Sequence, residues 1–450
     1  MRRILLTGIA VTMSVLVMTA GLQAQPISGS QAEITELEKK AQAAYADKKW
    51  VSFYSSNMKL HKLLPFENQY LVNVVKACAM LDRKSTAYHY MLLMQQQGFT
   101  YDFNADEETV GIRGTEVYQH INKLLIDAGK PAGDATVAFR LKGVANNYSA
   151  IAWDESRQAF LAGTLADGTL LSVTEGGETQ VLLEADEENG LWSITGIAVD
   201  AANNRLWLAS SATPRFATFS ITDKNRGALF ELDLKSLEIL GRYNLPVDGL
   251  DHDLGSLALT DDGHVYVIDR ATPIVYAKLP DGQRLEAFFA NPETRSLDGI
   301  AVTPDNSRIF LSDAVKGILV IDPVALQARM LSGPETMNLG GIESVSYREG
   351  HLYVVQGRFT PPRIIRIELD SSGAGATSVA PMAMALNEFN RPGAGTIRDG
   401  RLYYIANAGA EDDSEAIVMS TPLDAGAEAA PPGVTDNSDT PPPNFTQTGE

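Results

Sequence analysis

Thiols are almost absent from this sequence, with Cys78 the one cysteine among 450 residues. No intramolecular disulfide can form. Stability must come from side-chain burial, and the chain is long enough for one large or two medium domains. The stretch VVKACAMLD around Cys78 is apolar and helix-forming, which predicts a buried structural thiol and not a nucleophile. Positive charge is scarce as well: 37 Lys and Arg stand against 56 Asp and Glu, a formal net charge of −19. Such a chain has no electrostatic footprint for nucleic acid or an anionic lipid surface, and it favours cations as company. The patterns GXSXG, HEXXH and CXXC and a phosphate-binding glycine loop are all missing from the expected mature chain. A serine hydrolase, a zincin and a nucleotide enzyme therefore have no support.

Long apolar runs are lacking except at the start. The opening MRRILLTGIAVTMSVLVMTAGLQAQP has two arginines, an apolar run and a small-residue end at Ala24. This layout predicts a secretory signal peptide over residues 1–24 and a soluble periplasmic or secreted product with no membrane attachment after cleavage. No cysteine follows the run to carry a lipid. Loss of Arg2 and Arg3 would take the charge from −19 to −21. At the other end, residues 424–450 are rich in Pro, Ala and polar residues with little to bury, which predicts a disordered tail.

Between the ends lie two textures. Residues 31–131 place apolar residues three and four apart with few glycines, as in AEITELEKKAQAAYADKKWVSFYSSNMKLHKLL. Gly98 is placed to stop a helix, and Gly129 with Pro131 to end another. Trp50, Phe53, Tyr54 and Tyr70 read as core. The segment is similar to tetratricopeptide-type helical hairpins, in about two degenerate units. That resemblance implies a groove for a peptide or protein partner. A helical cap packed on the following domain is the alternative.

From residue 134 to 423 short apolar or alternating runs are divided by DG, GG, NN and PDN turns, the mark of an all-β chain. One unit returns six times: from Tyr148 (YSAIAWDESRQAFLAG), Ile194, Asp253, Leu297, Gly341 and Gly393. A recurrence of roughly 45 to 60 residues with four short strands is a propeller blade. The fold expected is mainly β, a six-bladed β-propeller preceded by the helical segment. The last repeat is one strand short, and ATVAFRL from Ala135 is free to complete it and close the ring, removing the open sheet edges.

The innermost strand of each blade lines the central channel, so residues at its start converge on one mouth. That position reads Ser149, Thr195, Asp253, Asp298, Glu343 and a glycine, Gly393 or Gly395. Three carboxylates on successive blades cannot all stay ionised without a compensating cation, so either a metal binds or a pKa rises. Oxygen ligands of this kind suit Ca²⁺, Mg²⁺ or Mn²⁺, and Zn²⁺ less specifically. For each acid alone, a cap on nearby backbone N–H groups is the plainer reading. His252 is placed to serve as an acid–base group or a further ligand, although a lone histidine in a loop is more often neither. Trp192 with Tyr148 would form an apolar wall at the substrate channel, beside Ser149 and Thr195, although aromatics at blade starts are more often packing. Asp269, Asp313 and Asn407 end second strands and read as repeated structural caps. The long insertion Ser210 to Gly227 should overhang one mouth.

The repeats GIAVD…RLWLA and DGIAVTPDNSRIFLSD, in this number and order, resemble the gluconolactonase, senescence-marker-protein (regucalcin) and luciferin-regenerating-enzyme family over Asp134 to about Leu423. The resemblance implies a divalent cation that polarises a lactone carbonyl while a carboxylate helps activate water. It places Asp298 where the family has Asn and Glu343 where it has Asp, with Asp253 near a substrate-contacting position. Ser149 stands where the family has a first-blade Glu. Two readings follow. One is a metal-dependent lactonase-type hydrolase, with Asp298, Glu343 and Asp253 on the metal and Glu343 or His252 as the catalytic acid–base group. The other is a non-catalytic propeller that binds a small molecule or polypeptide while its helices dock a protein partner.

Overall fold

A computed structural model describes residues 31–145, 148–291, 294–410 and 414–426. The expected signal peptide and nearly all of the expected tail lie outside the described residues. Among those described, no helix is long and apolar enough to cross a membrane.

Six sheets of four or five antiparallel strands form six blades. Their innermost strands are Tyr148–Asp154, Ser193–Asp200, Leu254–Leu259, Leu297–Val302, Ser344–Arg348 and Gly395–Arg398. Each blade then runs outward in chain order, as the turn pattern predicts. Second strands such as Ala159–Thr164 and Ile309–Asp313 are buried throughout, because each is flanked by strands and covered by blades on both faces. The apolar core is accordingly divided into clusters shared by neighbouring blades. Phe310, Val320 and Ile318 of blade 4 pack with Val345, Leu352 and Val354 of blade 5. Phe139 and Val418 of blade 6 pack with Phe160 and Leu171 of blade 1. Each such side chain contributes about 1.5–3 kcal/mol on burial.

The ring closes as expected. Strand Thr136–Ala145 pairs antiparallel with Glu415–Pro422 and supplies the outermost strand of blade 6. A second suture, not foreseen, precedes it: Ala132 and Gly133 pair with Met384 and Ala383 at the edge of blade 5. At the C-terminal end the chain stays packed to Ala425, which is buried in the cluster between blades 5 and 6.

The helical segment comprises α1 (Gln31–Ala46), α2 (Trp50–Leu63), α3 (Asn68–Met80), α4 (Lys84–Gln96) and α5 (Glu116–Asp127). Phe53 and Tyr70 are buried core, Trp50 and Tyr54 half-buried against it. Cys78 is buried, and desolvation pushes its thiol up to about 11, so it is inert at neutral pH. Gly98 does end α4. With φ +75° it lets its own N–H reach Gln95 O (2.8 Å) and that of Phe99 reach Met94 O (3.0 Å).

The helices pack on the loop end of blades 4 and 5. Phe66 lies against Gly317 and Gly340, and Asn338 donates through Nδ2 to Asn68 Oδ1 (3.0 Å) and Gln97 Oε1 (3.1 Å). The helical segment is thus built onto the propeller at the end where the inner strands begin.

Candidate functional site at the channel mouth

Four of the six inner strands carry a bulge at the same place. The register with the second strand shifts across Ser149, Thr195, Gly255–Ser256 and Asp298–Gly299. A bulge re-aims the side chain it carries. Here it turns the hydroxyls toward neighbouring backbone. Ser149 Oγ donates to Ile194 O of the next blade (2.6 Å), and Ser256 Oγ to Asp298 O of the next (3.0 Å). Thr195 Oγ1 donates to Ala209 O (3.2 Å). Glycine is needed at 196, where an added Cβ would stand 2.5 Å from Gly255 O. Below the mouth, the inner strands enclose a channel of about 500 Å³ walled by small and aliphatic residues, by Trp153 and Tyr347, and by hydroxyls including Ser344 and Thr396. Among the described residues that wall contains no acid, histidine or cationic side chain.

The charge sits at the rim, and it comes as carboxylate with guanidinium. Glu343, only 13 % exposed, has Arg358 Nε and Arg391 Nε each 2.6 Å from Oε1. The Nη2 atoms of the same arginines approach Oε2 at 3.4 and 3.5 Å. Hydrogen bonding to Glu343 raises Arg391 further above its ordinary value. Arg391 is held at φ +53°, a left-handed conformation uncommon outside glycine. Asp298 joins the same cluster, its Oδ1 3.5 Å from Arg358 Nη2, while Ser296 Oγ donates to Oδ2 (3.2 Å). Asp253 stands apart on blade 3 and takes a bidentate contact from Arg270, at 3.1 Å to Oδ1 and 3.2 Å to Oδ2. The structure therefore brings Asp298 and Glu343 together through Arg358 and leaves Asp253 with its own partner.

This arrangement does not fit a divalent cation. A hard cation takes six to eight oxygen ligands for Ca²⁺, or a near-ideal octahedron for Mg²⁺. Here the oxygens of Glu343 and Asp253 already face N–H donors. Among the described residues no group of three or more His, Cys, Asp or Glu is gathered to hold a metal. The compensating charge that the acids require is arginine.

His252 and Trp192 have structural partners, the plainer of the two readings open to each. His252 is buried, with Nδ1 2.6 Å from Asp269 Oδ2 and Nε2 3.0 Å from Asp248 Oδ1. Both ring nitrogens are engaged, so it has no free nitrogen for acid–base work or a metal. Burial alone would depress its pKa, but Asp269 and then Asp248 more than offset that and leave it raised. Trp192 packs edge-on against Phe216 (5.3 Å) of the long insertion, and Tyr148 is buried between blades 6 and 1. They form no shared ligand wall. The insertion joins the second and third strands of blade 2, which puts it at the same mouth. Ala217 N donates to Ala166 O (2.7 Å) and His252 N to Asn225 Oδ1 (3.2 Å), pinning it there.

The cap reading of the strand-end acids holds. Asp269 accepts from the N–H groups of Asp253, Ala271 and Thr272, and Asp313 from those of Arg295, Val315 and Lys316. Asn407 accepts from Ile417 N and donates to Glu415 O. What sequence reasoning missed is the arginine set. The signal was present one column away: Arg270 directly follows the second strand of blade 3, and Arg358 follows that of blade 5 by two residues.

No family model matches the chain, and no curated protein matches it. Solved structures are similar in outline. They include a gluconolactonase from Xanthomonas campestris (18% identity over 65% of this chain and 98% of that one, TM-score 0.44). A PQQ-bound aldose sugar dehydrogenase from Streptomyces coelicolor gives 15%, 65%, 99% and 0.45 in the same terms. A nidogen/laminin complex gives 16%, 52%, 79% and 0.39. Likeness at this level transfers no residue role and no reaction.

Proposed function

We propose that this chain is an exported, non-catalytic propeller that binds a small anionic molecule at the channel mouth. The reading rests on one observation: Glu343 is held by two guanidinium groups that remain 38 % (Arg358) and 50 % (Arg391) exposed. A guanidinium carries five N–H donors in a planar fork, and Glu343 uses only part of each. The remaining donors suit a carboxylate or phosphate, the carboxylate of Glu343 keeps both forks pre-organised, and the hydroxyl-bearing channel below has room for the rest of a small ligand. Export rests on the signal-like residues 1–24.

The lactonase-type reading keeps one favourable feature, the closeness of Asp298 to Glu343, and requires a metal to displace arginine. Thermal melting separates the two. Acetate, citrate and phosphate are added to the purified protein, then Ca²⁺, Mn²⁺ and Zn²⁺, since a ligand of the native state raises the midpoint by mass action. An anion-dependent rise that disappears in Arg391→Gln supports the binding protein. A metal-dependent rise that disappears in Asp298→Ala, together with lactone hydrolysis, overturns it in favour of the hydrolase.

A further inference from the structure

The loop that carries Arg358 runs from Gln356 to Arg363, and the helical segment holds it directly at the Arg363 end and in the middle, and at the Gln356 end through Asn338. At the ends lies a buried polar lock. Arg363 donates through Nε to Gln356 Oε1 (2.7 Å), through Nη1 to Gln97 O (2.6 Å) and through Nη2 to Asn338 O (3.0 Å). Gln356 Nε2 donates to Asn338 O (3.0 Å) and Gly340 O (2.7 Å). Asn338 reaches back to Asn68 and Gln97 of the helices. In the middle, Phe359 meets the ring of Phe99 edge-on (6.1 Å), and Thr100 N donates to Thr360 O (3.1 Å). The Arg363 guanidinium also lies over the Phe359 ring, 3.8 Å from its centroid.

We propose that Phe99 and Thr100 of the helical segment are positioning residues for the channel mouth: they fix Phe359 and Thr360 and so set Arg358 against Glu343. The helical segment in this view supports the rim of the binding site from outside, through one short loop. The inference rests on the binding reading above for its functional meaning, but its geometry is testable without any ligand.

The contact is asymmetric in a useful way. Arg358 and Arg391 both bond Glu343, but only Arg358 sits on the loop the helices hold; Arg391 comes from the connection between blades 5 and 6. Arg391 is therefore an internal reference. The full chain is compared as wild type, Phe99→Ala and the more conservative Phe99→Leu. Two readouts are taken: amide hydrogen exchange over residues 357–360, and the rate at which phenylglyoxal modifies Arg358 relative to Arg391, followed by mass spectrometry. Phe99→Ala should speed exchange of the loop amides by at least about tenfold and raise the Arg358/Arg391 modification ratio, with Phe99→Leu between it and wild type. Equal acceleration at both arginines would mean general loosening and would overturn the positioning role, as would an unchanged ratio. Phosphate and acetate binding is then measured on the same samples. Absent binding in wild type counts against the binding reading alone, whereas intact binding in Phe99→Ala with a raised ratio counts against the link between them.

Discussion

Arg358 and Arg363 sit five residues apart on one loop and could hardly be treated more differently. Arg358 is half-exposed and faces carboxylates, Glu343 first and Asp298 at longer range. Arg363 is buried and takes only neutral acceptors, three of them within 3.0 Å, with burial pulling its pKa down to about 9. It stays cationic at neutral pH because amide and carbonyl oxygens, aided by the face of Phe359, replace its water. An arginine given a carboxylate at a rim keeps donors for an incoming ligand. One given carbonyls in the interior is closed off from any incoming ligand and serves to join two parts of the chain.

The most severe way to break this contrast is to remove the interior cation. Arg363→Met takes the donor from Gln97 O and Gln356 Oε1 and leaves Asn338 O with Gln356 Nε2 alone, and should lower stability by about 3 kcal/mol, read as a shift in denaturant midpoint. Gly98→Ala attacks the same junction from the helix side. Its new Cβ would stand 2.5 Å from Arg363 Nη1 at a φ of +75°, for an expected loss of roughly 1–2 kcal/mol by the same measurement.

His252 sharpens the contrast, being a buried imidazole with carboxylates on both sides that is a cation only when protonated. Its pKa is raised above the ordinary 6.5, so its contribution is complete below that value and fades as pH climbs through the raised one. Wild type should therefore lose melting temperature relative to His252→Gln across that interval, and the two profiles should run parallel above it. The smallest effect belongs to the rim. Arg391→Gln should cost no more than about 1 kcal/mol in stability while abolishing the anion-dependent rise in melting temperature.

The ring architecture was legible because it is written in repetition. Six copies of one turn-and-strand unit name six blades, and the missing strand of the last copy points to the segment at Ala135. The caps were legible for the same reason, since Asp269 and Asp313 bond backbone within a few residues of themselves or of the adjoining inner strand. The mouth was not. A column read down the repeats finds Asp253, Asp298 and Glu343 but not what faces them, and Arg391 reaches Glu343 from 48 residues away. The bulges added a second obstacle, since a one-residue irregularity turns Ser149 and Thr195 toward neighbouring backbone in a way period-two counting does not register. Least legible was the helix junction, where Arg363 bonds a carbonyl 266 residues earlier.

The strand Thr136–Ala145 also fixes the order of events when this chain is made. It emerges before every blade's inner strand, yet its partner Glu415–Pro422 is the last strand in chain order among the described residues, with Arg140 and Glu415 separated by 275 residues. Until then a hydrogen-bonding edge waits unpaired while five blades assemble beside it. Closure is thus a late, long-range step, of the kind that makes folding slow and leaves the nascent chain open to mispairing.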